Sequence, residues 1–525
     1  MRIFFFILLG IFFSFYANAQ VYKVDLEATL VKDYKHFNKG DKVKISHVIH
    51  DVTMDSYYGR TSGRNTTDED DNNFYSGKVE DVYSIVIGTD TVPVSNKIGD
   101  FFDFAYDNVQ DLWDSKIISN VLFSLQKKGI QNSLRNEMEE EALEYISKQK
   151  EYNLVLNDPY LENYIYSLIS KIAPVDIIDG RPGNVNILIV DNPLLNAGMY
   201  SNGTMVINTG LLSALHTEDE LVAILSHEIA HFVLDHSVQN VNKAKARKKR
   251  AEFWAAFATG ITAVAEGVAA SKNQYYIPGA ATLGMAVLSS SIASQIVERL
   301  GMNYNAEQEE EADNIAIKVL ELLGYDKNAL ATALNRMQDN MVKERSNMMY
   351  FQSYTHPALV ERFKKAGTPQ DVIDSEYEKE ISFAITSSAR MKFEDRRFRQ
   401  ALPLVDININ NGVATAEDYI LKANCLLALY NNEKSNNEIL KLIAKAKEID
   451  ASNINLYKAE ILGNLRLRNF LVAQQLLAGY ITTLTEMEAE LKNIESDITW
   501  DACRGFILSE RNWAEKMVVK VKVMQ

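Results

Sequence analysis

The reading turns on Thr217-Glu218-Asp219-Glu220-Leu221-Val222-Ala223-Ile224-Leu225-Ser226-His227-Glu228-Ile229-Ala230-His231-Phe232-Val233. Thr217, with Glu220 three positions on, is a capping box, so a helix is expected to start there. Apolar residues at Leu221, Ile224, Leu225, Ile229, Phe232 and Val233 carry it onward. The pattern reads as continuing into the basic stretch KAKARKKR at 243–250. His227 and His231 are four apart and share one helix face, so both imidazoles can reach one metal ion. Glu228 projects about 100° away around the axis, close enough to hold a water beside that metal. Neutral imidazoles suit zinc, and a coordination position left open makes such a site catalytic. The competing reading is a chance H-E-x-x-H pattern.

Upstream, Asp158-Pro159 reads as an N-cap with proline at the first helical position. The helix LENYIYSLISKIA (161–173) follows and ends before Pro174. A loop with Gly180, Pro182 and Gly183 leads to the strand VNILIV at 185–190. Asn202-Gly203, between two short apolar runs, is a two-residue hairpin signal. A small sheet is therefore expected before the histidine helix. Downstream, Glu307-Gln308-Glu309-Glu310-Glu311-Ala312-Asp313 opens a helix that reaches Gly324. Glu309 and Asp313 share a face of it. A metal-ligating carboxylate, with a second carboxylate orienting a ligand histidine, would be arranged that way. A solvated acidic helix start favoured by the macrodipole would look the same, and the residues alone leave both readings open.

Residues 21–98 carry β-branched runs in partial alternation, which predicts a small β-barrel or β-sandwich. Residues 99–156 turn helical and charged. Residues 253–297 hold two uncharged, small-residue stretches around Glu266. Their length permits a membrane span, but Ala, Gly, Ser and Thr insert weakly. Packed helices or contact with a membrane surface by residues 243–297 is the expectation. From about 380 the chain is helical. Tyr419 and Tyr457 head two helices at a spacing near that of tetratricopeptide repeats; a plain helical bundle is the alternative.

The chain has 525 residues, 47% of them hydrophobic and 24% charged, with 55 Lys+Arg against 70 Asp+Glu. That composition affords several cored domains and excludes a disordered or linker-dominated chain. The acidic balance argues against nucleic acid as a partner. Arg2, the apolar run behind it and Ala17-Asn18-Ala19 form a charged start, a short hydrophobic core and a cleavage site. This predicts an exported protein whose residues 1–19 are a signal peptide. Cys425 and Cys503 are too few for a disulfide scaffold and are read as buried or free thiols.

The ordered set H-E-I-A-H (227–231), E-x-x-A-D (309–313), NAGMYSNGTMVINTGLL (196–212) and Thr355-His356-Pro357 with Arg362 resembles the zinc metallopeptidases that include HtpX, BepA and the CAAX prenyl proteases. The resemblance spans roughly residues 155–365. The signal peptide and helical tail look most like the BepA-like members, whereas 21–98 has no counterpart among them. The resemblance implies one zinc per chain, held by His227, His231 and Glu309, with Glu228 as general acid/base. Asp313 maps to a carboxylate behind the ligands. His356 maps to a loop histidine that polarises the substrate carbonyl or caps the zinc, with Arg362 supporting it. His236 also fits the family spacing. Nine residues from His227 on a continuous helix is the opposite face, which predicts a packing or hydrogen-bonding histidine rather than a ligand.

The expected fold is α+β: a mostly helical zincin-type core with a small sheet, an N-terminal β-rich domain and a C-terminal helical-repeat domain. The expected boundaries are 1–19, 20–98, 99–156, 157–366 and 380–525. The expected function is that of an exported zinc endopeptidase acting on envelope proteins, whose tail selects protein substrates or a protein partner. The alternatives are a chaperone-like adaptor with a capped zinc site and an integral membrane protease using 253–297.

Overall fold

In the computed structural model the described residues are 20–56, 77–93, 98–121, 130–151, 154–175, 185–247, 302, 304–343, 359–491 and 498–524. The signal-peptide reading, residues 253–297 and His356 lie outside them. The described chain is α+β, with a helical centre between an N-terminal sheet and a C-terminal run of helices.

The first sheet joins β1 (Gln20–Leu30), β2 (Lys42–Ser56), β3 (Gly77–Ile87), β4 (Asp90–Pro93) and β5 (Phe102–Phe104). Every pairing is antiparallel, in the order β4-β3-β2-β1-β5. This is one open sheet, not the expected barrel or sandwich. Along β1, Val24, Leu26, Ala28 and Leu30 are buried, and the residues between them face outward, the period of a sheet covered on one side. Leu26 pairs with Ile45 and Val48 with Ile85. A second sheet is unnecessary because the helix Val109–Lys116 brings Leu112 and the fully buried Trp113 into the same apolar core. The Trp113 indole donates to the Ile172 carbonyl at 2.6 Å, tying this layer to the helix Pro159–Ile172.

That helix starts as expected, with Asp158 accepting from the Tyr160 and Leu161 amides and proline at its first turn. β6 (Asn186–Val190), β7 (Ala197–Met199) and β8 (Thr204–Asn208) form the second sheet, in the order β6-β8-β7. β6 runs parallel to β8, and β7 is antiparallel to it. The hairpin loop is Ser201-Asn202-Gly203, one residue longer than the expected two, closed by the Tyr200 amide on the Thr204 carbonyl, with Gly203 at φ +80° in a conformation that glycine adopts freely.

The histidine helix spans Glu218–Val233, and its residues from Glu220 onward are buried. The Thr217 hydroxyl accepts from the Glu220 amide at its start. The helix does not continue into the basic stretch. It ends at Leu234, Asp235 takes φ +58°, and a second helix begins at His236 (His236–Arg247). Helix Ala306–Leu323 packs against the histidine helix. It is capped by Asn305 with Gln308 and stopped by Gly324 at φ +79°.

The tail helices Ser382–Glu394, Phe398–Asn410, Ala416–Leu429, Glu433–Ile449, Leu456–Arg466, Phe470–Leu491 and Ile498–Met524 each pack on the next. The first of them also docks onto the segment after β8. Ser388 accepts from the Ser213 hydroxyl at 3.0 Å, and the Tyr377 hydroxyl just before it donates to the Leu212 carbonyl at 3.0 Å. Cys425 is buried, Cys503 is exposed, and both are free thiols. Among the described residues no helix is long and apolar enough to cross a membrane.

Candidate metal centre

His227 and His231 stand one turn apart on the central helix, and Glu309 reaches them from the first turns of Ala306–Leu323. All three are buried to within 2% exposure. The two histidine Nε2 atoms are 3.0 Å apart. Glu309 Oε1 lies 3.5 Å from His231 Nε2, and Glu309 Oε2 lies 3.6 Å from His227 Nε2. Ligand atoms bonded at about 2.0–2.1 Å to one tetrahedral zinc stand roughly 3.3 Å from each other. The three observed separations bracket that value, so the trio fits such an ion. Among the described residues it is the group of His, Cys, Asp or Glu able to converge on one metal. Two imidazoles and one carboxylate would hold the ion and leave it open to a water or a substrate oxygen.

Behind the trio lies a charged layer. His227 Nδ1 is 2.9 Å from Asp313 Oδ1. A carboxylate only accepts, so His227 carries its proton on Nδ1 and turns the Nε2 lone pair toward the site. Arg362 grips Asp313 with two bonds, Nε to Oδ2 at 2.9 Å and Nη2 to Oδ1 at 2.6 Å. Its third nitrogen, Nη1, is 2.6 Å from Glu309 Oε2. Burial works against the charge on Asp313, but the Arg362 guanidinium and the His227 ring hold its carboxyl well below the usual carboxylate range. The structure thus places Arg362 across Glu309 and Asp313; its expected support of His356 falls outside the described residues.

Glu228 is 3% exposed, and its charge acts on both Arg362 and Tyr304. Tyr304 had no place in the sequence reading. Its ring stacks on His231, with centroids 3.6 Å apart and planes 14° from parallel, and its hydroxyl lies 3.0 Å from Ser237 Oγ. Burial raises its phenol well above the ordinary value, so it stays neutral. Its one visible signal is its position beside the Asn305 cap, which fixes it to the helix that carries Glu309. His236 lies beside the trio rather than across the helix from it. The break at Asp235 returns the chain, and His236 Nδ1 lies 2.8 Å from His231 Nδ1.

The model of peptidase family M48 matches residues 159–370. This stretch is an M48 peptidase domain. The M48 domain takes in the second sheet, the histidine helix, the Glu309 helix and Arg362, and leaves out β1–β5 and the later tail helices. The chain is 26% identical over 186 residues to the beta-barrel assembly-enhancing protease of Escherichia coli, covering 35% of this chain and 34% of that protein. It is 24% identical over 151 residues to the mitochondrial metalloendopeptidase OMA1 of Arabidopsis thaliana, covering 29% and 25%. To human OMA1 it is 42% identical over 51 residues, 10% of each chain. The chain spans about a third of the length of the first curated relatives it matches.

Proposed function

We propose that the protein is an exported zinc-dependent endopeptidase that hydrolyses peptide bonds in envelope proteins, as part of their quality control. The observation that carries the peptidase reading is the convergence of His227, His231 and Glu309 within 4.8 Å of one another, next to Glu228 on the same buried helix. His227 and His231 would hold the ion by Nε2, and Glu309 by its carboxylate. When bound, zinc supplies Lewis-acid polarisation of a peptide carbonyl and makes a water acidic enough to attack near neutral pH. Glu228 accepts the proton of the attacking water and passes it to the departing amine, the work of a general base and then a general acid. Asp313 and Arg362 keep the ligands aimed. Among the described residues β7 pairs on one side, with β8, and an extended substrate would add along its other side by backbone hydrogen bonds. His356, six residues before Arg362 in the sequence, would polarise the carbonyl or cap the metal.

The envelope reading is supported by likeness to relatives named for β-barrel assembly, together with the N-terminal signal pattern. The helical tail, read as a tetratricopeptide-like array, would choose substrates or a protein partner. The test is a direct comparison. Wild type with zinc should cut an unstructured peptide, and Glu228→Gln should retain zinc but lose cleavage. Envelope proteins accumulating with Glu228→Gln would then identify the substrates. Zinc bound without any cleavage by wild type would favour the adaptor reading instead.

A further inference from the structure

Each ligand imidazole must keep a proton on one ring nitrogen so that the other presents a lone pair. For His227, Asp313 sets this directly. At His231 Nδ1 the observed neighbour is another imidazole, His236 Nδ1 at 2.8 Å. Two ring nitrogens at that distance share one proton, and two assignments are open. If His236 donates, His231 Nδ1 is the acceptor, its proton sits on Nε2, and the face toward Glu309 and His227 is blocked. If His231 donates, its Nε2 is bare and faces the other two ligands.

The far side of His236 decides between them. His236 Nε2 faces Glu311 Oε2 at 3.6 Å, an electrostatic contact with a group that offers only acceptors. That carboxylate favours a proton on His236 Nε2. His236 Nδ1 is then the acceptor, and His231 Nδ1 donates to it. Several features fix the geometry. Asp235 at φ +58° ends one helix and lets His236 begin the next. His236 is 2% exposed. Gln308, from the capping box of the Glu309 helix, approaches the His236 carbonyl at 3.5 Å. Tyr304 stacks on the other ring, so His231 has little freedom to rotate.

We propose that His236, backed by Glu311, is a positioning residue that sets the tautomer and orientation of His231, doing through an intervening imidazole what Asp313 does directly for His227. The proposal rests on the metal reading of the trio. It gives the acidic run a division of labour: Glu309 as ligand, Glu311 behind one histidine and Asp313 behind the other.

The experiment uses the full-length chain, stripped of metal and titrated with zinc alone against a chromophoric chelator. His236→Leu fills the space and removes the acceptor. It should lose roughly 10–100-fold in zinc affinity, the usual effect of removing a group that orients a metal-bound histidine. His236→Asn places an amide oxygen where Nδ1 stood and should recover most of that loss. Glu311→Ala, at a side chain 34% exposed, should weaken zinc binding with the metal-free melting temperature unchanged. Equal loss in His236→Leu and His236→Asn would mean that only packing matters and would overturn the proposal. So would wild-type affinity in His236→Leu or, should that variant fail to fold, in Glu311→Ala. Wild type that binds no zinc would instead sink the metal reading on which the proposal stands.

Discussion

Arg362 offers the sharpest test of the electrostatics. Its guanidinium makes ion pairs with two buried carboxylates, at 2.6 Å to Glu309 and 2.6 Å to Asp313. It is a permanent cation that both of these carboxylates touch directly. Arg362→Met keeps much of the stem volume and removes the charge. Breaking a buried pair by deleting one partner costs about 3–5 kcal/mol, because the other charge stays buried. In a folding unit of a couple of hundred residues or more, each kcal/mol moves the melting temperature by about 2–4 °C or less. The metal-free variant should therefore melt on the order of 10 °C below the metal-free wild type. A divalent ion at the trio would restore part of the missing positive charge, so the rise in melting temperature on adding zinc should be larger in the variant than in the wild type. The assay is scanning calorimetry of both proteins, with chelator and with excess zinc. Equal metal-free melting temperatures, or a deficit that zinc leaves untouched, would refute the account of Arg362 as countercharge to these two groups.

Glu309→Ala should abolish measurable zinc retention by metal analysis, Glu307→Ala should leave it intact, and Glu311→Ala should lie between them. Equal retention in all three would remove Glu309 as a ligand. Gly210→Ala should destabilise the fold by about 1–3 kcal/mol in urea titration, because the new methyl would run into the Pro193 backbone. Gly198→Ala should be milder, since there the methyl meets only the end of the Met302 side chain. Asp418→Ala should cost about 1–3 kcal/mol, because the buried Asp418 carboxylate accepts from Thr386 at 2.8 Å and Asn408 at 3.1 Å. An unshifted urea midpoint would show that this network contributes nothing.

The legible part of the site was the part written in helical spacing. His227 and His231 are four apart on one capped helix, and that local relation survives whatever packs around it. Asp158-Pro159, Asn202-Gly203, Thr217 and Gly324 were readable for the same reason, since each signal acts within a few residues. The convergence of Glu309 on the histidines is a contact between helices, which spacing alone could not distinguish from a solvated acidic turn. His236 was placed on the wrong face because the angular argument assumed an unbroken helix. The break sits at Asp235, a side chain that tolerates positive φ better than most but stands in an otherwise unbroken helical run. Tyr304 and the grip of Arg362 on two carboxylates are tertiary facts with no periodicity to betray them. The N-terminal strands alternate as a half-buried sheet should, but alternation says only that one face is covered. It does not say whether a second sheet covers it or, as here, the helix bearing Trp113.

One apolar cluster runs without interruption from Val24 and Leu26 of β1, through Leu221 and Ile229 of the histidine helix, to Ile381 and Ile385 at the start of the tail. The inherited segment, residues 159–370, is thus shorter at both ends than the piece that must fold. A gene fragment cut to the family match would lose the Trp113 layer on one side and the Ile381–Ile385 layer on the other. It would strip apolar cover from helix Ala306–Leu323 on one side and from the segment Thr209–Leu212 on the other. A minimal catalytic fragment should therefore begin at the first strand and keep at least the helix Ser382–Glu394. For the same reason the N-terminal sheet is no tethered accessory: substitutions at Leu26 or Trp113 should be felt at the metal.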